Sequence, residues 1–412
     1  MNFCSVLNKI NKNSNRLLYD NYRYAIAETT QDIVTEDWEN VNRSKNIFLS
    51  VEYLRVLEKT NTENYKYFFV TIYEKNIPVG ISFFQLIVFN AELFGNLLAN
   101  QISCLKEERG SLFTNYLKNG KGATMFRLLT LGNNFVSGEH GFSFEGHISR
   151  ISQFEILQRL IEMIGRKEKL RGKISAILIK DFYPETLPEK NNFLEKKYLP
   201  FAVEPNMVLQ IPENIISLKD YIALFSKKYR KRTRTIFNCA KELEKKEMNL
   251  EDIQHYHDRI YELYLEVYDN AKFKLVKLGE SYFYECKKAF GNKFKITGFF
   301  RDGQLIGFNT AFLQHNDEIE AHFIGFDYAI NRNCELYQNI LYQFIELAIV
   351  NKKTKLILGR TAAEIKSTIG AKSADMICFV KPQNPISKLI LKPFISYLQP
   401  SEWIPRNPFK ED

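Results

Sequence analysis

The sequence predicts an α/β (α+β) protein built from two copies of one unit in tandem, and three observations carry that prediction. Two β-hairpins, Tyr67–Phe89 (YFFVTIYEKNIPVGISFFQLIVF) and Ile296–Leu313 (ITGFFRDGQLIGFNTAFL), match when Gly80 is laid on Gly307, an offset of 227 residues (307 − 80). That offset pairs Val79 with Ile306, Asn76 with Gly303, Tyr73 with Phe300 and Ile72 with Phe299. Next, Ile319–Lys372 reads as strand, helix, strand. An apolar run ends at Asp327, a short polar loop follows, a helix places Leu336, Ile340, Leu341, Phe344, Ile345 and Ile349 on one stripe, and Lys355–Leu358 is a buried strand. Finally, 412 residues exceed one ordinary core, and an apolar share of 45% with 25% charged residues is globular.

In chain order, residues 1–45 form a polar, Asn-rich segment with helix-compatible pieces near Asp37 and Trp38. The first unit, 46–214, opens with an amphipathic helix, Phe48–Lys59, which buries Phe48, Leu49, Tyr53, Leu54 and Leu57. Its hairpin turns at Glu74–Asn76, and an insert with Gly95, Gly110, Gly120 and Gly122 follows. Then come a β-prone MFRLLTLG, the loop GNNFVSGEHGFSFEGH, a helix Ser152–Lys167, a strand Ile174–Ile179 and a last strand Met207–Ile211. The second unit, 215–381, opens with one or two basic helices over Leu218–Lys246 and another over Glu251–Asn270. Its hairpin turns at Asp302-Gly303, a strong turn signal. The strand at Glu320, the helix from Glu335, the strand at Lys355 and a last strand Met376–Val380 repeat the order of the first unit. Residues 382–412 hold Pro382, Pro385, Pro393, Pro400, Pro405 and Pro408 and form a tail draped over the body.

A formal charge of +9 and a pI near 9.0 favour anionic partners: phosphorylated small molecules, RNA or an anionic membrane face, with DNA not expected. Six scattered cysteines form no close pair, which indicates a reducing, cytoplasmic interior. The N-terminus lacks the apolar core of a signal peptide, and no apolar run approaches the ~18 residues of a membrane span. His140 and His147 lack a third ligand at metal spacing, so no metal and no permanently bound cofactor are expected, and their loop is read as lining a cleft between the units. Ile386–Leu398 (ISKLILKPFISYL) has the composition of a peripheral membrane contact, but Pro393 interrupts it and packing against the second unit is the expectation.

Parallel strands joined by a crossover helix carry ligands beyond their carboxyl ends. Chemistry is therefore expected at Asp327–Glu335 and Gly359–Lys366, where GRTAAEIKSTIGA gathers Arg360, Glu364 and Lys366. Hairpin, strand, crossover helix, strand and terminal strand, after opening helices, is an order that resembles acyltransferases of the GNAT superfamily. From about residue 45 to 380 the chain is similar to its tandem branch, the FemAB-like and BioF2-like proteins. The likeness is carried by SKKYRKRTRTIFNCAKELEKK, by EAHFIGFDYAINRNCELYQNILYQFIELAI and by LILGRTAAEIKSTIGA, which resembles that branch's turn of Gly, spacer, Lys and Gly.

The resemblance implies two GNAT-like domains with mixed, mostly antiparallel sheets. It implies an N-acyltransferase that moves an acyl group from an acyl-CoA co-substrate to an amine acceptor. One alternative is a Fem-type transferase that takes an aminoacyl group from tRNA to a cell-envelope precursor; another is a catalytically silent binding module. The sequence departs from the superfamily at AINRNCELYQN, which has no glycine for a pyrophosphate loop and leaves Asn331, Arg332 and Asn333 to hold an anion by side chains.

Acyl transfer to an amine needs a base, donors for the oxyanion and an acid for the leaving group. Glu320 and His322 share a strand face as base and partner, Asp327 follows them, and Tyr337 is placed as a proton donor. Lys366 offers a point charge to an oxyanion and, by the resemblance, a substrate or transition-state role; Arg360 offers a two-point grip on carboxylate or phosphate. Arg230 and Arg234, in the block Lys227, Lys228, Arg230, Lys231, Arg232 and Arg234, are candidate phosphate contacts. The structural alternatives are a core histidine, a helix cap at Asp327, a packed Tyr337, a surface ion pair between Glu364 and the Arg360/Lys366 cluster, and a solvated basic face. The first unit runs into DFYPETLPEKN where the second has GRTAAEIK, so the first is expected to be the scaffold or acceptor side.

Overall fold

A computed structural model describes residues 16–19, 21–42, 45–61, 63–90, 125–169, 172–188, 192–271 and 276–410. The glycine-bearing insert falls outside them. Fourteen strands form one sheet: β1 Arg16–Tyr19, β2 Tyr22–Ala27, β3 Tyr65–Glu74, β4 Ile77–Asn90, β5 Met125–Leu131, β6 Phe142–Phe144, β7 Ala176–Phe182, β8 Leu199–Gln210, β9 Glu244–Glu247, β10 Phe294–Arg301, β11 Gln304–Leu313, β12 Glu318–Phe326, β13 Lys355–Ile357 and β14 Lys372–Pro382. Their order is β1-β2-β3-β4-β5-β7-β14-β8-β13-β12-β11-β10-β9, with β6 beside β4. Only β5–β7 and β12–β13 are parallel; the other pairs are antiparallel. The architecture is thus α/β with a mixed, mostly antiparallel sheet.

The repeat holds at the level of hydrogen-bond partners. Ile72 faces Gly80 in the first hairpin and Phe299 faces Gly307 in the second. Both then slip register at the next residue, to Tyr73–Pro78 and Phe300–Leu305. Glycine recurs because a Cβ would be crowded: at Gly80 it would lie 2.5 Å from the Phe144 ring, and at Gly307 3.1 Å from Leu336.

The final strands are exchanged. β14, at the end of the second half, lies between β7 and β8 of the first, and β8 in turn pairs with β13 of the second. Strand β8 starts well before Met207, across Pro200 and Pro205, because Pro205 falls where the β8–β14 register slips between Ala374 and Met376, and a bulge tolerates a residue without an N–H.

Each crossover helix covers one sheet face of its own half. Arg150–Glu168 packs Phe154, Leu157, Leu160 and Ile161 on Phe68, Val70, Ile72 and Phe84, and Leu336–Val350 packs its whole predicted stripe with Ile306, Ile319 and Leu356. Another core joins the halves: Trp38, Phe48, Tyr53, Tyr67, Phe69 and Phe83 lie in one cluster with Tyr264, Tyr282, Phe294, Phe308 and Phe312.

Several elements differ from the sequence reading. Residues 16–27 add a hairpin to the sheet edge, and Glu244–Glu247 is an edge strand on β10 where a helix was expected. The segment 251–270 is two helices broken at Tyr256, Leu250–His255 and His257–Asn270. The polar loop after Asp327 is the helix Tyr328–Cys334, separated from Leu336–Val350 by Glu335 at φ +49°. Pro385–Leu398 is helical straight through Pro393, and its Leu391 is buried with Phe126, Leu128, Phe201, Met376 and Val380 rather than in the second half's own core.

Candidate functional site

Where the halves meet, side chains from both converge. In the second half the parallel pairing of β12 with β13 ends at Glu320–Ile357, while β12 runs on to Phe326 and the other chain leaves β12 to follow β8, through Leu358 N–H to Met207 O at 2.8 Å and Met207 N–H to Gly359 O at 3.0 Å. The strands splay here, and among the described residues no hydrogen bond crosses from 321–326 to 358–366. In the first half the pairing of β5 with β7 ends at Leu131–Ile179, and the Lys180 ammonium, directly beyond, donates to the carbonyls of Asn133 at 2.8 Å and Val136 at 2.7 Å.

Glu320 sits at the mouth of the second splay, 5% exposed. Its Oε1 is 3.7 Å from Nε2 of His140, which belongs to the glycine-rich loop of the first half. His140 Nδ1 is 2.9 Å from Asn46 Nδ2 and its Nε2 is 3.1 Å from Ser137 O, so the neutral ring accepts at Nδ1 and carries its proton at Nε2, toward Ser137 O and Glu320. The loop is fixed by Glu139, which accepts from Tyr183 N–H at 3.1 Å and pairs with Arg150 at 2.8 Å. Tyr183 in turn receives Asn206 Nδ2 at 3.2 Å on its hydroxyl.

Arg360 reaches across to Asp181. Two residues of β7, Lys180 and Asp181, oppose only Cys378 of β14, and Asp181 has φ +67°. This bulge turns two neighbouring side chains toward one another, so Lys180 lies 2.7 Å from Asp181 Oδ2 while Arg360 takes Oδ1. Gly138 N–H at 3.2 Å and the Cys378 thiol at 3.3 Å also donate to the carboxylate. Burial, together with the Arg360 charge, pulls the Lys180 ammonium well below its ordinary range, and burial pushes the Cys378 thiol up.

The other predicted residues scatter. Lys366 is buried rather than ion-paired at the surface; it donates to the carbonyls of Leu358 at 2.8 Å, Gly359 at 3.2 Å and Arg360 at 2.6 Å, which fixes the turn instead of offering a free charge to an oxyanion. Burial draws its ammonium down to about 7, against the charge of Glu204. Glu364 pairs with Arg406 of the tail, at 3.0 Å from its Nε, and not with Lys366. His322 shares the face of Glu320 as expected, yet bonds the Tyr282 hydroxyl at 2.6 Å, which meets Tyr53 at 3.1 Å; burial lowers its imidazole to about 3. Asp327 is a helix cap, accepting from the N–H groups of Ala329 and Ile330. Tyr337 packs on Phe326, its hydroxyl pushed upward by burial. Asn331 accepts the Tyr337 N–H at 2.8 Å, so the start of the crossover helix is capped from within, and Arg332 and Asn333 are exposed beside it. Arg230 donates to Phe225 O at 2.7 Å, and Arg234 is exposed on a basic helix face. His147 stands at the surface, away from the seam.

Reasoning from the sequence missed Lys180, Asp181, Tyr183 and Asn206. A signal was present: a charged Lys-Asp directly after the apolar run Ala176–Ile179 is as unusual as the Gly-Arg after Leu356–Leu358.

No protein-family model and no curated protein matches the chain. Among solved structures, a tandem GNAT protein from the clavulanic acid biosynthesis pathway aligns over 88% of this chain and 99% of its own, with TM-score 0.50 and 8% identity. The fold is that of a tandem GNAT protein. A conserved protein of unknown function from Bacteroides thetaiotaomicron covers 85% of this chain and 98% of its own (TM-score 0.45, 12% identity), and L-PGS from Bacillus licheniformis covers 67% and 83% (TM-score 0.41, 12% identity). The two parallel pairs, β5–β7 and β12–β13, hold equivalent places in the repeat, and among the described residues the second has no counterpart of the Lys180 bonds.

Proposed function

We propose that this protein is an N-acyltransferase whose reaction takes place at the splay of its second half, with an acyl-CoA as donor and an amine as acceptor. The observation that carries this reading is Glu320, a buried carboxylate at the point where β12 and β13 part, facing His140 from the other half. Glu320 takes the proton of the acceptor's ammonium. The freed amine attacks the acyl carbonyl, the C–N bond forms as the C–S bond breaks, and the departing thiolate takes the second proton that the nitrogen sheds as it becomes an amide. Gln314, whose Nε2 donates to Glu320 Oε2 at 3.5 Å, orients the carboxylate, with His140 Nε2 3.7 Å from Oε1, and Lys366 positions the turn that carries Arg360.

The domain division, 46–214 as scaffold or acceptor side and 215–381 as catalytic side, belongs to this proposal. The test is mass spectrometry of small molecules retained through purification, followed by turnover with the acyl donor so found. Glu320→Gln is expected to lower kcat by about 10²–10⁴-fold, the usual worth of a general base, while leaving the unfolding midpoint near its starting value. Unchanged turnover sinks the assignment.

A second reading, an aminoacyl-tRNA donor, draws support from the helix start. There Asn331 already occupies the Tyr337 N–H that an anion would use, while Lys227, Lys228, Lys231, Arg232 and Arg234 are exposed on the neighbouring helix, whose Arg232 bonds Gln338 at 3.2 Å. RNA binding that weakens steeply with salt would favour it.

A further inference from the structure

The seam holds polar groups that the protein leaves unmatched. Asp181, fully buried, stands between Lys180 and Arg360 and holds both. The Arg360 Nε is buried without a hydrogen-bond acceptor, although the side chain as a whole is 23% exposed and can be reached from outside. Asn206, 1% exposed, donates Nδ2 to Tyr183 and leaves Oδ1 without a donor. Buried orphans of this kind are rare in folded proteins and call for a partner. Their surroundings are built: a bulge with Asp181 at positive φ aims its carboxylate at Arg360, and Tyr183, which holds Asn206, sits two residues further on. A construction that spends backbone strain on holding the guanidinium leaves its Nε–H for an anion.

We infer that the acceptor is an amine that also bears a carboxylate, of the amino-acid type, bound across the seam. Its carboxylate takes the Arg360 Nε–H, which lacks an acceptor. Its ammonium donates to Asn206 Oδ1, beside Tyr183 and toward Glu320 and His140. The site is complete only with both halves, since His140, Asp181, Tyr183 and Asn206 come from the first and Glu320 and Arg360 from the second. The inference rests on the acyl-transfer reading for the fate of the amine, whereas binding of the carboxylate stands apart from it.

The test is calorimetric titration of the full chain with L-alanine, L-lysine and L-glutamate, each against its α-carboxamide, which keeps the amine and removes the charge. At least one acid is expected to bind about 10- to 100-fold more tightly than its amide, as a charge-assisted pair warrants. Arg360→Gln is expected to level acid and amide, and Arg360→Lys, which keeps the charge and loses the fork, to retain part of the preference. Should Arg360→Gln fail to fold, the acid-to-amide ratios of the unaltered protein and of Arg360→Lys decide alone. Equal affinity for acids and amides, a preference that survives in Arg360→Gln, or binding of neither form overturns the inference. Acids that bind selectively but are never acylated leave it standing and count against the transferase reading; indiscriminate acylation of acids and amides does the reverse.

Discussion

The two halves share a hairpin register to the residue yet treat their splayed strands in opposite ways. In the first, Lys180 ties the chain beyond β5 to the chain beyond β7. In the second, Lys366 grips only its own turn, and the opening beside Glu320 is unlaced. The charged residues after the two buried runs are complementary, Asp181 in one and Arg360 in the other. On the acyl-transfer reading, one of these two equivalent places is the site and the other a wall.

The ion pair that joins the halves gives the largest expected effect. Asp181→Ala leaves Arg360 and Lys180 without their carboxylate and should cost about 3–5 kcal/mol in urea unfolding, whereas the neutral pair Asp181→Asn with Arg360→Met should recover most of that loss. A single mutant as stable as the parent would show that the halves are not bolted there.

The shared core offers a test through pH. His322 is held neutral, its imidazole lowered from 6.5 to about 3 by burial. The unfolded chain binds this proton below about pH 6.5 and the folded chain does not, so stability falls on acidification from there to about pH 3, by up to about 1.4 kcal/mol per pH unit, and levels off below. Melts of His322→Gln against pH should lack that slope; an unchanged slope assigns it to other groups.

Next come the two lysines. Lys180→Met and Lys366→Met should each lose roughly 1–3 kcal/mol, since each strands buried carbonyls, but only the second should depress turnover. Equal effects on turnover would erase the distinction between wall and site. Smallest is Asp327→Ala, which removes a helix cap worth about 1 kcal/mol; a large loss of kcat in that variant would return Asp327 to the chemistry.

The hairpins, both crossover helices and the strand pairs were legible because their apolar spacing is local. Glycine at 80 and 307 marked the repeat because a Cβ would clash at the first site and be tightly crowded at the second. The exchange of last strands was not legible, since FAVEPNMV and SADMICFV each suit either neighbour and only the assembled sheet chooses. Arg360 and Glu320 were picked out from charge beside buried strands, and their partners were not, because Asp181 and His140 are 179 and 180 positions away (360 − 181; 320 − 140) and are joined to them by a bulge and a loop. His322 and Glu320 were paired by alternation alone; the Tyr282 hydroxyl, from a helix the sequence reading did not foresee, took His322 instead.

Strand β14 occupies the middle of the sheet and is made after both strands it joins. Until residue 382 has left the ribosome, β7 and β8 each present a bare edge, and neither half can close. Closure of the sheet therefore waits on pairings of high contact order, and a chain cut short at residue 371 would keep most of its elements while exposing two sticky edges.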